Sequence, residues 1–111
     1  MISSLEKLLG TPRDGPLLRY SLGLEYAKIG DHPRAAQYLR DALARDPNYS
    51  AAWKALGRSL SEAGLWQEAL DAYTRGIEAA RAKGDRQAEK EMTLFRKRLE
   101  KGAPVPRKGP Q

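Results

Sequence analysis

The sequence predicts an all-α chain, an α-solenoid of antiparallel helix pairs with a capping helix at each end. Three observations predict it. The chain resembles itself when shifted by 34 residues, apolar residues recur every three or four positions, and Gly and Pro punctuate the two copies at matching places. The shift aligns Leu22 with Leu56, Gly23 with Gly57, Gly30 with Gly64 and Ala35 with Ala69. It also pairs Tyr26 with Leu60, Leu39 with Tyr73, Ala42 with Gly76 and Leu43 with Ile77, so small meets small and large apolar meets large apolar.

Residues 1–15 are expected to form an N-terminal capping helix and loop. Ser3 and Glu6 have capping-box spacing, Leu5, Leu8 and Leu9 follow, and Gly10 stops the run. The first unit, residues 16–49, opens with Pro16, whose missing N–H is not needed in a first helical turn. Leu18, Leu22, Tyr26 and Ile29 then form a 3.6-residue stripe that ends at Gly30. Asp31 is placed to cap the next helix and Pro33 fits its first turn. Ala35, Leu39, Ala42 and Leu43 make its buried face before Asp46-Pro47. The second unit, residues 50–84, repeats this with Ala52, Trp53, Leu56 and Leu60 before Gly64, then Ala69, Leu70, Tyr73 and Ile77.

Gly23 against Ala35, and Gly57 against Ala69, would let paired helices approach closely, with Trp53 and Tyr73 as core aromatics. Trp66 is expected to lie over its turn, and His32, in the equivalent place, to be a partly exposed turn residue. Asp41–Arg45 and Asp71–Arg75 have the spacing of ordinary helix ion pairs.

Two stacked units leave an apolar face at each end, which the flanks are expected to cover. Asp85 is placed to cap a helix over residues 85–101, with Ala88, Met92, Phe95 and Leu99 on one stripe. A 35-residue shift puts Ala88, Met92 and Phe95 on Trp53, Gly57 and Leu60, as in a degenerate third repeat. Met92 would then replace the small Gly because no second helix approaches. Residues 102–111, rich in Pro and Gly, are expected to be a disordered tail.

The 111 residues include 20 Lys+Arg against 14 Asp+Glu, a formal net charge of +6, with one His and no Cys. That excludes a disulfide framework, a thiolate zinc site and a cysteine nucleophile, and one His does not build a His-based metal cluster. There is no Gly-rich phosphate loop and no persuasive acid–base pair, so no enzyme activity, cofactor, metal or small-molecule substrate is expected. No apolar run approaches the ~18 residues that span a bilayer. The N-terminus lacks the basic start, apolar core and cleavage site of a secretory signal, so a cytoplasmic location away from membranes is expected.

Five of the six excess charges fall in the last thirty residues, and the body is nearly neutral. Arg96, Lys97, Arg98, Lys101, Arg107 and Lys108 therefore read as the solvated side of a cap and tail. Weak nucleic-acid binding there is the lesser alternative. Pro104, Pro106 and Arg107 make a short polyproline-type match for a partner domain.

The repeated residues resemble the tetratricopeptide repeat (TPR). The second unit carries the likeness in Trp53, Leu56, Gly57, Gly64, Ala69, Tyr73 and Gly76. The first carries it in Leu22, Gly23, Tyr26, Gly30, Ala35, Leu39, Ala42 and Pro47, with Arg19 where the motif has Trp. Leu60 and Arg81 depart from the usual aromatic and Pro. The resemblance covers about residues 16–81, and 82–100 more weakly.

The resemblance implies a right-handed superhelix whose first helices line a concave groove for a peptide or protein. The lining positions carry over to Leu17, Tyr20, Leu24 and Lys28, then Ala51, Lys54, Arg58 and Ser61, then Arg86, Glu89 and Thr93. Tyr20, Leu24, Lys54, Arg58 and Arg86 are the expected partner-binding residues. They would make an apolar floor with a basic side, suited to a segment with apolar anchors and carboxylates. Otherwise these side chains are a solvated face, or Leu17, Tyr20 and Leu24 dock the N-terminal helix. One TPR subclass grips the C-terminal carboxylate of heat-shock chaperones. Here Tyr20, Leu24 and Ala55 do not match its clamp and only Arg86 and Lys90 could serve, so that mechanism is not expected. The resulting expectation is a non-enzymatic interaction module or adaptor, monomeric or weakly dimeric. The alternative is a self-associating assembly subunit.

Overall fold

Pro16 begins a helix as expected, and each later helix follows from the same local signals. The computed structural model describes residues 1–102. These hold six helices: α1 Ile2–Glu6, α2 Pro16–Lys28, α3 His32–Arg45, α4 Ser50–Glu62, α5 Trp66–Lys83 and α6 Arg86–Glu100. The expected tail lies, from residue 103 on, outside the described residues. Asp31 caps α3 by accepting from the Arg34 N–H, and Asp85 caps α6 by accepting from the Ala88 N–H. At Gly30 and Gly64 the chain takes positive φ of 78–81°, which an L side chain would resist. There the Asp31 and Leu65 N–H groups donate back to the Tyr26 and Leu60 carbonyls, so the two turns close identically.

The helices form a solenoid in which α2 pairs with α3 and α4 with α5, while α6 packs on α5. The first helices of successive pairs also touch, α2 on α4 and α4 on α6. The main core joins Leu39, Leu43, Leu56, Leu60, Tyr73, Ile77 and Met92. A second cluster holds Leu18, Leu22, Tyr26 and Ala35, against which Ile2, Leu5, Leu8 and Leu9 pack.

Several contacts differ from the sequence reading. Ile29 is 68% exposed, because it is the C-cap residue at the Gly30 turn and has left the α2 stripe. Ser3 caps nothing: α1 starts at Ile2 with Met1 as N-cap and no side-chain bond. Glu6 instead accepts the hydroxyls of Tyr26 and Tyr38 at 2.7 and 3.1 Å. Asp41 does not pair with the Arg45 guanidinium. Its carboxylate takes Arg19 at 3.1 Å, and Arg45 reaches only the Asp41 backbone carbonyl. Arg19, which stands at the motif's Trp position, also holds Asp14 at 2.8 Å. Asp71 and Arg75 do pair, at 3.2 Å.

The close approaches agree in part. A Cβ on Gly23 would meet the expected Ala35, at its carbonyl oxygen 3.3 Å away, and more tightly the Leu39 side chain at 2.6 Å. One on Gly57 would strike the Tyr73 ring instead of Ala69. Tyr73 is buried, but Trp53 is half-buried. Its indole N–H donates to the Pro47 carbonyl at 2.7 Å, and Arg75 lies over its ring.

Helix α6 stands in a different register from the 35-residue one expected. The N-caps Gly15, Tyr49 and Asp85 lie 34 and then 36 residues apart. The 36-residue step equates the buried Ala52 and Leu56 with Ala88 and Met92. Met92 thus takes the place of Leu56, not of Gly57, and fills the space against Gly76 on α5. Thr93 takes the place of Gly57. The cause is that α5 has 18 residues against 14 in α3, while the link after it has two residues against four.

Candidate functional site

Helical spacing on α4 turns Ala52, Leu56 and Leu60 inward and leaves Arg58 and Glu62, one turn apart, exposed on the opposite side. On one side of this ridge a groove of about 530 Å³ runs between α4 and α2. Leu24 and Ala27 of α2 and Ala55 of α4 give it an apolar floor. Lys28, His32, Arg58 and Glu62 form its polar edge. On the other side a smaller hollow of about 290 Å³ opens between α4 and α6, lined by Arg58, Glu62, Phe95 and Arg98.

The electrostatics single out Arg58. Lys28 is paired with Glu25 at 3.1 Å, and Arg98 lies over the Phe95 ring at 6.0 Å. Among the described residues Arg58 has no ion-pair partner. Beneath it, burial pushes the Tyr73 hydroxyl up to about 12, an effect that Arg58 opposes and Glu62 reinforces.

The expected binding residues do not all meet. Leu24 and Arg58 share the α2–α4 groove. Tyr20 is half-buried, its ring 4.9 Å from that of Tyr49, and packs on the main core. Lys54 is turned toward α6, where it donates to Glu91 at 2.7 Å and holds that carboxyl below the usual range. Arg86 lines a separate concavity on the α5–α6 side, as do Glu89 and Thr93. The basic side built from Lys54, Arg58 and Arg86 is therefore not assembled, because the shifted register of α6 turns Arg86 away.

The N-terminal segment does not fill the groove. It packs on Leu18, Leu22 and Tyr26, and Leu17 is left 68% exposed. Trp66 packs against the core, and His32 is partly exposed at the groove edge. The sequence reading missed Glu62 and Arg98. Glu62 was within reach, since it lies at i,i+4 from Arg58; Arg98 depended on the register of α6. Among the described residues no cluster of His, Cys, Asp or Glu is placed to hold a metal ion, and no helix is long and apolar enough to cross a membrane.

Comparison with known proteins follows the same pattern. The family model of the tetratricopeptide repeat matches residues 20–85. A TPR repeat-containing protein of Pseudomonas aeruginosa is 45% identical over 101 residues, covering 91% of this chain and 96% of that protein. A protein of Bordetella parapertussis with a solution structure is 37% identical, with a TM-score of 0.81 over 96% of this chain and 93% of that one. A heat-shock protein cognate (HSC) co-chaperone of Aspergillus fumigatus is 34% identical over 64 residues, 58% of this chain but 19% of its own length.

Proposed function

Because the chain belongs to the tetratricopeptide repeat family, a fold of protein–protein interaction modules, we propose that its α2–α4 groove binds a short segment of a partner protein. The observation that carries the reading is the pairing of Leu24 and Arg58 on facing helices across one groove. Leu24, with Ala27 and Ala55, offers a floor for one or two apolar side chains. Arg58, exposed and without an ion pair among the described residues, offers a fork for a carboxylate. Glu62, one turn away, discourages a segment that is acidic throughout and favours one carboxylate beside apolar anchors.

Tyr20 serves this reading by setting the spacing of α2 and α4 through Tyr49, and Lys54 by holding α6. Panning a peptide-display library on the whole chain tests it. Selected peptides should carry an apolar anchor and a carboxylate. They should bind Arg58→Glu about tenfold more weakly or worse, with unchanged circular dichroism. Peptides that bind Arg58→Glu and Leu24→Asp as tightly as the wild type would overturn the proposal.

A further inference from the structure

The helix α6 is built like α2 and α4, each of which holds a second helix. In the 36-residue register Thr93 stands where Gly57 does, and Gly57 is the residue that lets the Tyr73 ring of α5 close on α4. Thr93 is small, and its hydroxyl is already bonded to the Glu89 carbonyl at 2.8 Å, so it asks for no polar partner. Along this side of α6, beside the end of α5, runs a concavity of about 760 Å³, with Leu94 47% exposed on it.

The unpaired charge on this concavity has one sign. Arg86, Lys90 and Lys97 line it at i, i+4 and i+11, a row about 16 Å long at the helical rise of ~1.5 Å per residue. Among the described residues none of the three has an ion-pair partner. The one carboxylate at the site, Glu89, is taken by Arg81 at 2.7 Å. Exposed like charges one turn apart repel one another, so an anionic neighbour is favoured over solvent alone.

We propose that this face receives an acidic amphipathic helix from another protein, seated on α6 as α5 is seated on α4. The third helix pair is then completed in trans. Apolar residues of the incoming helix contact Thr93 and Leu94, and its carboxylates follow the row of cations. Two other occupants fit the charge less well. Residues 103–111 contain Arg107 and Lys108 and no Asp or Glu. A second copy of α5 carries Arg75, Arg81 and Lys83 against Glu68, Asp71 and Glu78, so it has no net charge, and Glu68 and Asp71 are already taken by Arg40 and Arg75. The site stands apart from the α2–α4 groove and does not depend on it.

The test uses two fluorescein-labelled 18-residue helical peptides with a stripe of Ala and Leu. One carries Glu at i, i+4 and i+11 beside the stripe, the other Lys. Each is titrated with the whole chain by anisotropy and mapped by NMR shifts. The Glu peptide should saturate, with shifts confined to residues 81–97. The Lys peptide, and the Glu peptide against Lys90→Glu/Lys97→Glu, should bind about tenfold more weakly or worse. Arg13→Glu, a charge reversal outside both concavities, should bind the Glu peptide unchanged. Equal binding of the two peptides, or shifts centred on Leu24 and Arg58, would overturn the proposal. So would a wild-type dimer in sedimentation velocity that the double variant dissociates, since the occupant would then be a second copy. If the double variant does not fold, the comparison of the two peptides still decides.

Discussion

The Tyr26 hydroxyl donates to the Glu6 carboxylate at 2.7 Å, a bond spanning 20 residues that ties α1 to the first helix pair. Tyr38 adds a second donor to the same carboxylate, and the two rings stack with centroids 5.6 Å apart. The bond to Glu6 and then burial hold Tyr26 above its ordinary value of 10.0; for Tyr38 burial comes first and Glu6 second. A raised tyrosine value means that the folded state keeps its proton longer. The associated stability is full below about pH 10 and is lost as pH rises through the folded values. Glu6→Ala should therefore lower the midpoint of the ultraviolet tyrosine titration. At pH 8 it should also speed tryptic cleavage after Lys7, with the cooperative unfolding of the repeats retained.

The opposite sign applies to Asp14. The Arg19 guanidinium first, and the Gly10 N–H second, hold its carboxyl well below the usual range. Its contribution is complete above the unfolded value of 3.8 and is lost as pH falls through the folded one. Asp14→Asn should be less stable than the wild type at pH 7, and the gap should narrow steadily below about pH 4 in urea melts. A gap that stays constant with pH would mean that the charge of Asp14 is not what matters.

At Gly57 two effects oppose each other. Alanine gains about 1 kcal/mol in helix propensity. Its Cβ, however, would lie 2.7 Å from Cδ1 and Cζ of Tyr73, a buried ring that would have to shift. Overpacking of this kind costs about 1–3 kcal/mol, so Gly57→Ala should lower Tm by several degrees despite the propensity gain. Gly57→Leu should abolish the cooperative thermal transition seen by circular dichroism.

Lys54 and Arg58 lie one turn apart and should behave differently. Lys54→Glu places a carboxylate beside Glu91, where the structure has an ion pair at 2.7 Å. It should lower Tm, and adding Glu91→Lys should restore it. Arg58→Glu disturbs no ion pair among the described residues and should leave Tm unchanged while weakening peptide binding. The same Tm loss in both variants would remove the distinction between a structural and a binding cation.

Much of the candidate groove could be read from spacing alone. Leu24 and Arg58 are outward positions of two helices whose inward faces, Leu22 with Tyr26 and Leu56 with Leu60, were plain in the 34-residue repeat. Tyr20 and Lys54 sit on the same helices, but their side chains are engaged by Tyr49 and Glu91, partners 29 and 37 residues away. No local pattern reports contacts of that range.

The helices, their pairing and their buried stripes were legible from local patterns. Each depends on signals within a few residues: a 3.6-residue period, an Asp N-cap, a Gly turn, a Pro in a first turn. What α6 presents was not legible in this way, because it depends on how α6 is set against α5. One residue of register turns a helix face by about 100°. The longer α5 and the shorter link after it set α6 36 residues on from α4, not 35, and so moved Arg86 out of the groove. That rotation, which no single stretch of sequence encodes, leaves Arg58 on the α2–α4 groove and puts Arg86 on the separate α5–α6 concavity.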